Sequence, residues 1–184
     1  MTSSATRRRR LLLLRHAKSA WPDVADHERP LAGRGRRDAP AAGRWMRETG
    51  SVPDHVICST AQRARQTWQL AAAELGACPH VRFDERVYGA TAGQLLDLAR
   101  ETPPGARTLL IVGHDPAMPE LALSLASADA GEEGALDRVR LKFPTAAIAV
   151  LTFTGGWPGL SPGHARLACF VVPRELSARR DGGG

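Results

Sequence analysis

Arg10-Leu11-Leu12-Leu13-Leu14-Arg15, with His16 directly after it, is the stretch from which the fold of this 184-residue chain is read. Four leucines in a row show no alternation of apolar and polar residues, so a strand built from them is covered on both faces. Similar runs recur along the chain: His55 to Ser59 (HVICS), Val81 to Asp84, Arg107 to Gly113 (RTLLIVG), Ala146 to Phe153 and Ala165 to Val172. Helical stretches lie between them. Ser59-Thr60-Ala61-Gln62 fits a capping box, followed by an apolar face of Trp68, Ala71, Ala72 and Leu75 that stops at Gly76. Thr91 to Arg100 reads as another helix, and Asp115-Pro116 as a cap and first-turn proline opening a helix to about Ser127. Arg34 to Glu48 is helical in composition but contains Pro40, so its helix either starts near Asp38 or kinks. Strand–helix alternation predicts an α/β fold, a three-layer α/β/α sandwich around a mostly parallel sheet. The last two strands follow each other without a helix between them, which predicts an antiparallel edge.

With 43% hydrophobic and 24% charged residues, the composition is that of an ordinary globular protein. A disordered chain, a disulfide-knotted mini-protein and a collagen-like fibre are excluded. Length favours one domain, placed at residues 9–176 between a disordered basic tail at 1–8 and a second tail at 177–184. The net charge is +6, but Arg7 to Arg10 supply four positive charges, and without them about +2 remains. That run is read as a solvated terminus. A nucleic-acid partner is not expected, because the body lacks a basic helix face or an aromatic platform. No apolar stretch approaches a membrane span, and Leu11 to Leu14 is too short for a secretion signal. Cys58, Cys78 and Cys169 form no Cys-x-x-Cys pair and suit a reducing compartment, so the expected location is the cytoplasm, without membrane association.

In open α/β sheets, ligands bind beyond the carboxyl ends of the strands. Arg15-His16 ends the first strand, Arg63 follows the second in the first helical turn, Glu85 follows the third, and His114 ends the fourth. Two arginines and two histidines at one edge suit phosphate, which a guanidinium fork matches bidentately. A histidine can itself carry the phosphoryl group as a phosphoramidate that water later cleaves. A second histidine, as a cation, would stabilise the equatorial oxygens, and a carboxylic acid would protonate the leaving group. His27, His55, His80 and His164 stand in no motif, and Trp21, Trp45, Trp68 and Trp157 read as packing residues.

Leu14-Arg15-His16-Ala17-Lys18-Ser19 resembles the Arg-His-Gly opening of the histidine phosphatase superfamily (phosphoglycerate mutase-like). Ser59 to Thr67 (STAQRARQT) resembles that family's Ser-x-x-x-Arg-Ala-x-Gln-Thr segment. Asp84 to Gly89 (DERVYG) is similar to its acid-bearing loop, and Val112-Gly113-His114-Asp115 to its second-histidine motif. The order agrees from about residue 10 to 172. Arg-His-Ala-Lys-Ser, the Arg29-Pro30-Leu31 step and the short connection from Glu85 to His114 lean towards the SixA-type phosphohistidine phosphatases. The resemblance implies His16 as nucleophile, Arg15, Arg63 and His114 as phosphate ligands, and Glu85 as proton donor. Ser19 adds a hydroxyl to the phosphate set. Ala17 replaces the usual glycine, which would cost energy if the backbone there required positive φ. The implied activity is a phosphatase without metal or other cofactor that forms a covalent phosphohistidine and acts on a phosphohistidine-bearing protein. Small phosphate esters and phosphosugars are the alternative substrates. A metal-dependent phosphohydrolase using His16, His114, Asp115 and Glu85 lacks supporting ligand spacing, and a phosphomutase would need a closed pocket.

Overall fold

The computed structural model describes residues 7–176. In chain order the elements are β1 (Arg8–Arg15), α1 (Gly33–Glu48), β2 (His55–Ser59), α2 (Gln62–Ala72), β3 (His80–Asp84), α3 (Ala92–Arg100), β4 (Thr108–Gly113), α4 (Ala117–Leu125), β5 (Ala126–Gly131), α5 (Ala135–Leu141), β6 (Ile148–Thr154) and β7 (Ala165–Val171). The strands form one seven-stranded sheet in the order β3-β2-β4-β1-β6-β7-β5.

Why four consecutive leucines can all be apolar is visible at β1, where each is fully buried. Leu11 and Leu13 join Leu109, Ile111 and Leu151 in a core that includes Leu95 and Leu98 of α3, Leu121 of α4 and Val139 of α5. Leu12 and Leu14 join Leu110, Val112 and Val150 in a second core with Met46 of α1 and Ala64, Trp68 and Ala71 of α2. Alternate residues thus supply opposite layers, as strand geometry requires. Burial of each such leucine stabilises the fold by about 1.5–3 kcal/mol. Helices α1 and α2 meet backbone to backbone: a Cβ on Gly43 would lie 2.0 Å from the Ala71 carbonyl oxygen.

β1 pairs in parallel with β4, β4 with β2, and β2 with β3. Their carboxyl ends therefore open on one edge, which is where a ligand site belongs. The sheet is a mixed one. β6 runs antiparallel to both β1 and β7, while β5 pairs with β7 in parallel. The reversal thus lies inside the sheet, at β6, and both edge strands run with the majority.

Several local expectations need correction. β1 starts at Arg8, not Arg10, and Arg9 is only 2% exposed, so this member of the basic run is not solvated, whereas Arg7 and Arg8 are exposed. Arg9 donates from Nε to Gly155 O (2.6 Å), from Nη1 to Ala106 O (2.6 Å) and from Nη2 to Pro104 O (3.0 Å). It ties the amino end of β1 to two loops. The remaining tail residues, 1–6 and 177–184, lie outside the described residues. Helix α1 runs from Gly33 to Glu48 with Pro40 inside it, so it does not start at Asp38. Ser59 forms no capping box at α2, whose N-cap is Ala61 without a side-chain bond. The capping box is instead at α3, between Thr91 and Gln94. α4 is capped by Pro116 and ends at Leu125.

Candidate active site

The carboxyl end of β1 is tied on three sides. The His16 amide donates to Gly113 O at the end of β4 (3.0 Å), and the Ala146 amide donates to the carbonyls of Arg15 and His16 (3.1 and 3.2 Å). Ala146 has φ 62, the left-handed region, where an alanine costs roughly 1–2 kcal/mol. The Ala17 amide donates to the Thr67 hydroxyl (2.9 Å), which itself donates to Arg63 O (2.7 Å). Thr67 thus latches α2 onto the loop after β1. Gly35 lets α1 close on the same loop, since a Cβ there would lie 2.1 Å from Lys18 O. Ala17 does not adopt positive φ, because Ala146 is the one non-glycine among the described residues that does.

The rings of His16 and His114 lie 5.3 Å apart, tilted by 52°. His16 Nδ1 is 2.7 Å from Ala17 O. A carbonyl oxygen only accepts, so Nδ1 carries the proton and Nε2 keeps its lone pair. Burial, reinforced by His114, Arg63 and Arg15, lowers the His16 pKa to about 3, against the pull of the Ala17 hydrogen bond. The ring is therefore neutral at pH 7.

His114 is held through Nε2, 2.7 Å from the Ser59 hydroxyl, which also accepts from the Ala61 amide. The Ser59 O–H is fully buried and meets no acceptor other than Nε2 among the described residues, so it donates to Nε2 and the His114 proton stays on Nδ1. That atom is buried and has no partner among the described residues. Burial and the charge of Arg63 lower the His114 pKa to about 4, opposed by Asp26. In the free pocket the second histidine is thus a neutral donor instead of the cation expected from the sequence.

Arg15 donates from Nη1 to Phe143 O (2.7 Å), while its buried Nε has no partner among the described residues. Arg63, in the first turn of α2, is 6% exposed. It donates from Nη1 to Asp26 O (2.7 Å) and from Nη2 to Asp26 Oδ2 (3.1 Å). The sequence reading did not single out Asp26. Neither did it give a role to Tyr88, the chain's single tyrosine, whose ring meets His114 edge-on at 5.6 Å and His27 at 4.9 Å. The Tyr88 hydroxyl donates to Asp26 Oδ2 at 2.7 Å.

Two expected members make no hydrogen bond to either histidine. Glu85 opens the 3-10 turn after β3, and its exposed side chain makes no hydrogen bond or ion pair among the described residues. Arg86 and Arg82, the partners a structural Glu85 would take, are held by Asp84 and Glu101. The Ser19 hydroxyl accepts from Arg29 Nη2 at 2.5 Å, within the Arg29–Asp26 network. Among the described residues, no group of three or more His, Cys, Asp or Glu side chains is placed to hold a metal ion, and no helix is long and apolar enough to cross a membrane.

A sheet whose parallel strands deliver Arg15, His16, Arg63 and His114 to one edge is the arrangement of a known class. The chain belongs to the histidine phosphatase superfamily (branch 1), whose family model matches residues 11–155. An uncharacterised protein of Mycobacterium tuberculosis is 46% identical over 162 residues, 88% of this chain and 100% of the relative. A protein of Nakamurella multipartitia assigned as the phosphohistidine phosphatase SixA is 37% identical, with TM-score 0.78 over 89% of this chain and 95% of its own. Its counterpart from Agrobacterium tumefaciens is 27% identical, with TM-score 0.72 over 89% and 97% of the two chains.

Proposed function

We propose that this chain is a phosphatase that works through a covalent phosphohistidine on His16 and acts on a phosphohistidine-bearing protein. One observation carries the mechanism: the His16 Nδ1–H bond to Ala17 O, which leaves Nε2 of a neutral ring as the free nucleophilic atom. In the first step, Nε2 donates its lone pair to phosphorus as the bond to the leaving group breaks. The electron pair of the broken bond departs with the leaving group, which takes up a proton. In the second step, water attacks phosphorus, gives up a proton, and the Nε2–P bond breaks to regenerate His16 and release inorganic phosphate.

Arg15, Arg63 and the Nδ1–H of His114 bind the phosphoryl oxygens. These donors are fixed before the substrate arrives, so they stabilise developing charge without reorganising, the largest single source of catalysis in many enzymes. A phosphoryl dianion between the two rings also favours protonation of His114, so the cation forms on loading. Glu85 is the proton donor for leaving groups that need one; its side chain is exposed and unengaged, at the same strand-end edge. A protonated imidazole leaves more easily than an alkoxide.

The protein phosphohistidine reading is supported by the likeness to two SixA-assigned proteins over nearly their whole length. The three free cysteines suit the cytoplasm, where such a partner would be met. The test is a turnover panel of a phosphohistidine protein, an aryl phosphate and a sugar phosphate, run with wild type and Glu85→Gln. Preference for phosphohistidine is expected, with Glu85→Gln crippling only the sugar phosphate. Preference for the sugar phosphate would instead assign the chain to small phosphate esters.

A further inference from the structure

Arg63 already holds an anion in the resting pocket. Asp26 takes one N–H from each of its terminal nitrogens, leaving Nε–H and the second protons of Nη1 and Nη2 for a ligand. The Asp26 side chain is half exposed, yet its carboxylate is fixed from three directions. Tyr88 donates its hydroxyl (2.7 Å), Arg29 donates Nη1 (2.8 Å), and Arg63 donates Nη2 (3.1 Å). Arg29 is itself anchored by Ala20 O and the Ser19 hydroxyl, and its guanidinium lies 3.3 Å from the centre of the Trp21 ring. The hydrogen bonds from Tyr88 and Arg29, then the charge of Arg63, hold the Asp26 carboxyl well below the usual carboxylate range. A permanent negative charge therefore sits on the arginine that faces the phosphate, and behind the tyrosine that packs on His114.

We propose that Asp26 is a specificity-determining residue: its charge, locked onto Arg63, weakens the pocket's hold on anions and turns away substrates that carry a second acidic group. The inference rests on Arg63 being a phosphate ligand. Coulomb repulsion from Asp26 acts on every anion in the pocket, but it grows with each further charge the substrate brings. A phosphohistidine leaves as imidazole, neutral or protonated, so its leaving group meets attraction or nothing. A sugar-acid phosphate leaves with a carboxylate and meets repulsion. The same charge speeds departure of the product dianion.

Asp26→Asn removes the charge and keeps an amide oxygen to accept from Arg63. Calorimetric binding of inorganic phosphate to this variant should tighten on the order of tenfold, the effect of removing a unit charge a few ångströms from an anion near the surface. In parallel, kcat/KM for a carboxylate-bearing phosphate ester should rise several-fold relative to an aryl phosphate. Asp26→Ser, which removes the charge with a shorter side chain, should move both quantities in the same direction. Unchanged or weaker phosphate binding in the variants, or unchanged selectivity, would overturn the proposal while leaving the pocket assignment intact. Failure of phosphate to bind wild type at all would overturn both.

Discussion

The Ser59 hydroxyl lies 2.7 Å from Nε2 of His114 and is fully buried at the end of β2, so the second histidine is oriented by a strand on which it does not lie. Because this buried O–H meets no other acceptor among the described residues, it donates to the ring and sets which nitrogen carries the proton. Ser59→Ala should lower kcat about fivefold to tenfold, the worth of one buried hydrogen bond, with little change in KM. Steady-state kinetics on an aryl phosphate checks this. A change confined to KM would place Ser59 in binding instead.

Arg63→Lys should lower kcat/KM on the order of 10²-fold, because a point charge cannot match both Asp26 and a phosphoryl group with fixed N–H directions. Vanadate inhibition should weaken in parallel. Retention of near wild-type turnover by the lysine variant would show that charge alone suffices at this position.

Both site histidines are buried neutral, with pKa values lowered from 6.5 to about 3 for His16 and about 4 for His114. The unfolded chain therefore binds more protons than the folded one below pH 6.5, and folding stability falls as pH falls through that window, levelling off near pH 3. At pH 5 the loss is about 2 kcal/mol for each ring. Urea unfolding at pH 7 and pH 5 should show a clearly smaller drop in a His16→Gln, His114→Gln double variant than in wild type. Equal drops would mean the rings are not held neutral.

Arg9→Met should cost about 3 kcal/mol of stability, since it strands carbonyls of Gly155, Ala106 and Pro104. The residue sits at the amino end of β1, away from the site, so kcat of the folded variant should be unchanged. Thermal unfolding and turnover on the same preparation separate the two effects.

How far the sequence carries is visible residue by residue. The runs of fully apolar residues at β1 and β4 announce strands covered on both faces, because nothing else explains Leu11 to Leu14. Arg15, His16 and His114 are legible because each stands where a parallel strand ends, and Arg63 because it lies in the first helical turn after one. β5 and α5 are not: Ala126 to Gly131 reads Ala-Ser-Ala-Asp-Ala-Gly, with neither β-branched nor aromatic residues to mark a strand. Arg9 looks like part of a charge block, and only the loops packed around it turn it into a buried staple. Asp26 lies in a polar stretch without periodicity, so its contact with Arg63, 37 positions away, exists only in the folded chain.

The central claim is that His16 Nε2 takes the phosphoryl group. Rapid quenching of turnover with a phosphorus-labelled substrate, followed by peptide mapping, tests it most directly. An acid-labile, base-stable adduct on His16, absent in His16→Ala along with activity, is the predicted result. An adduct elsewhere, or a His16→Ala variant that keeps most of its activity, would contradict the mechanism.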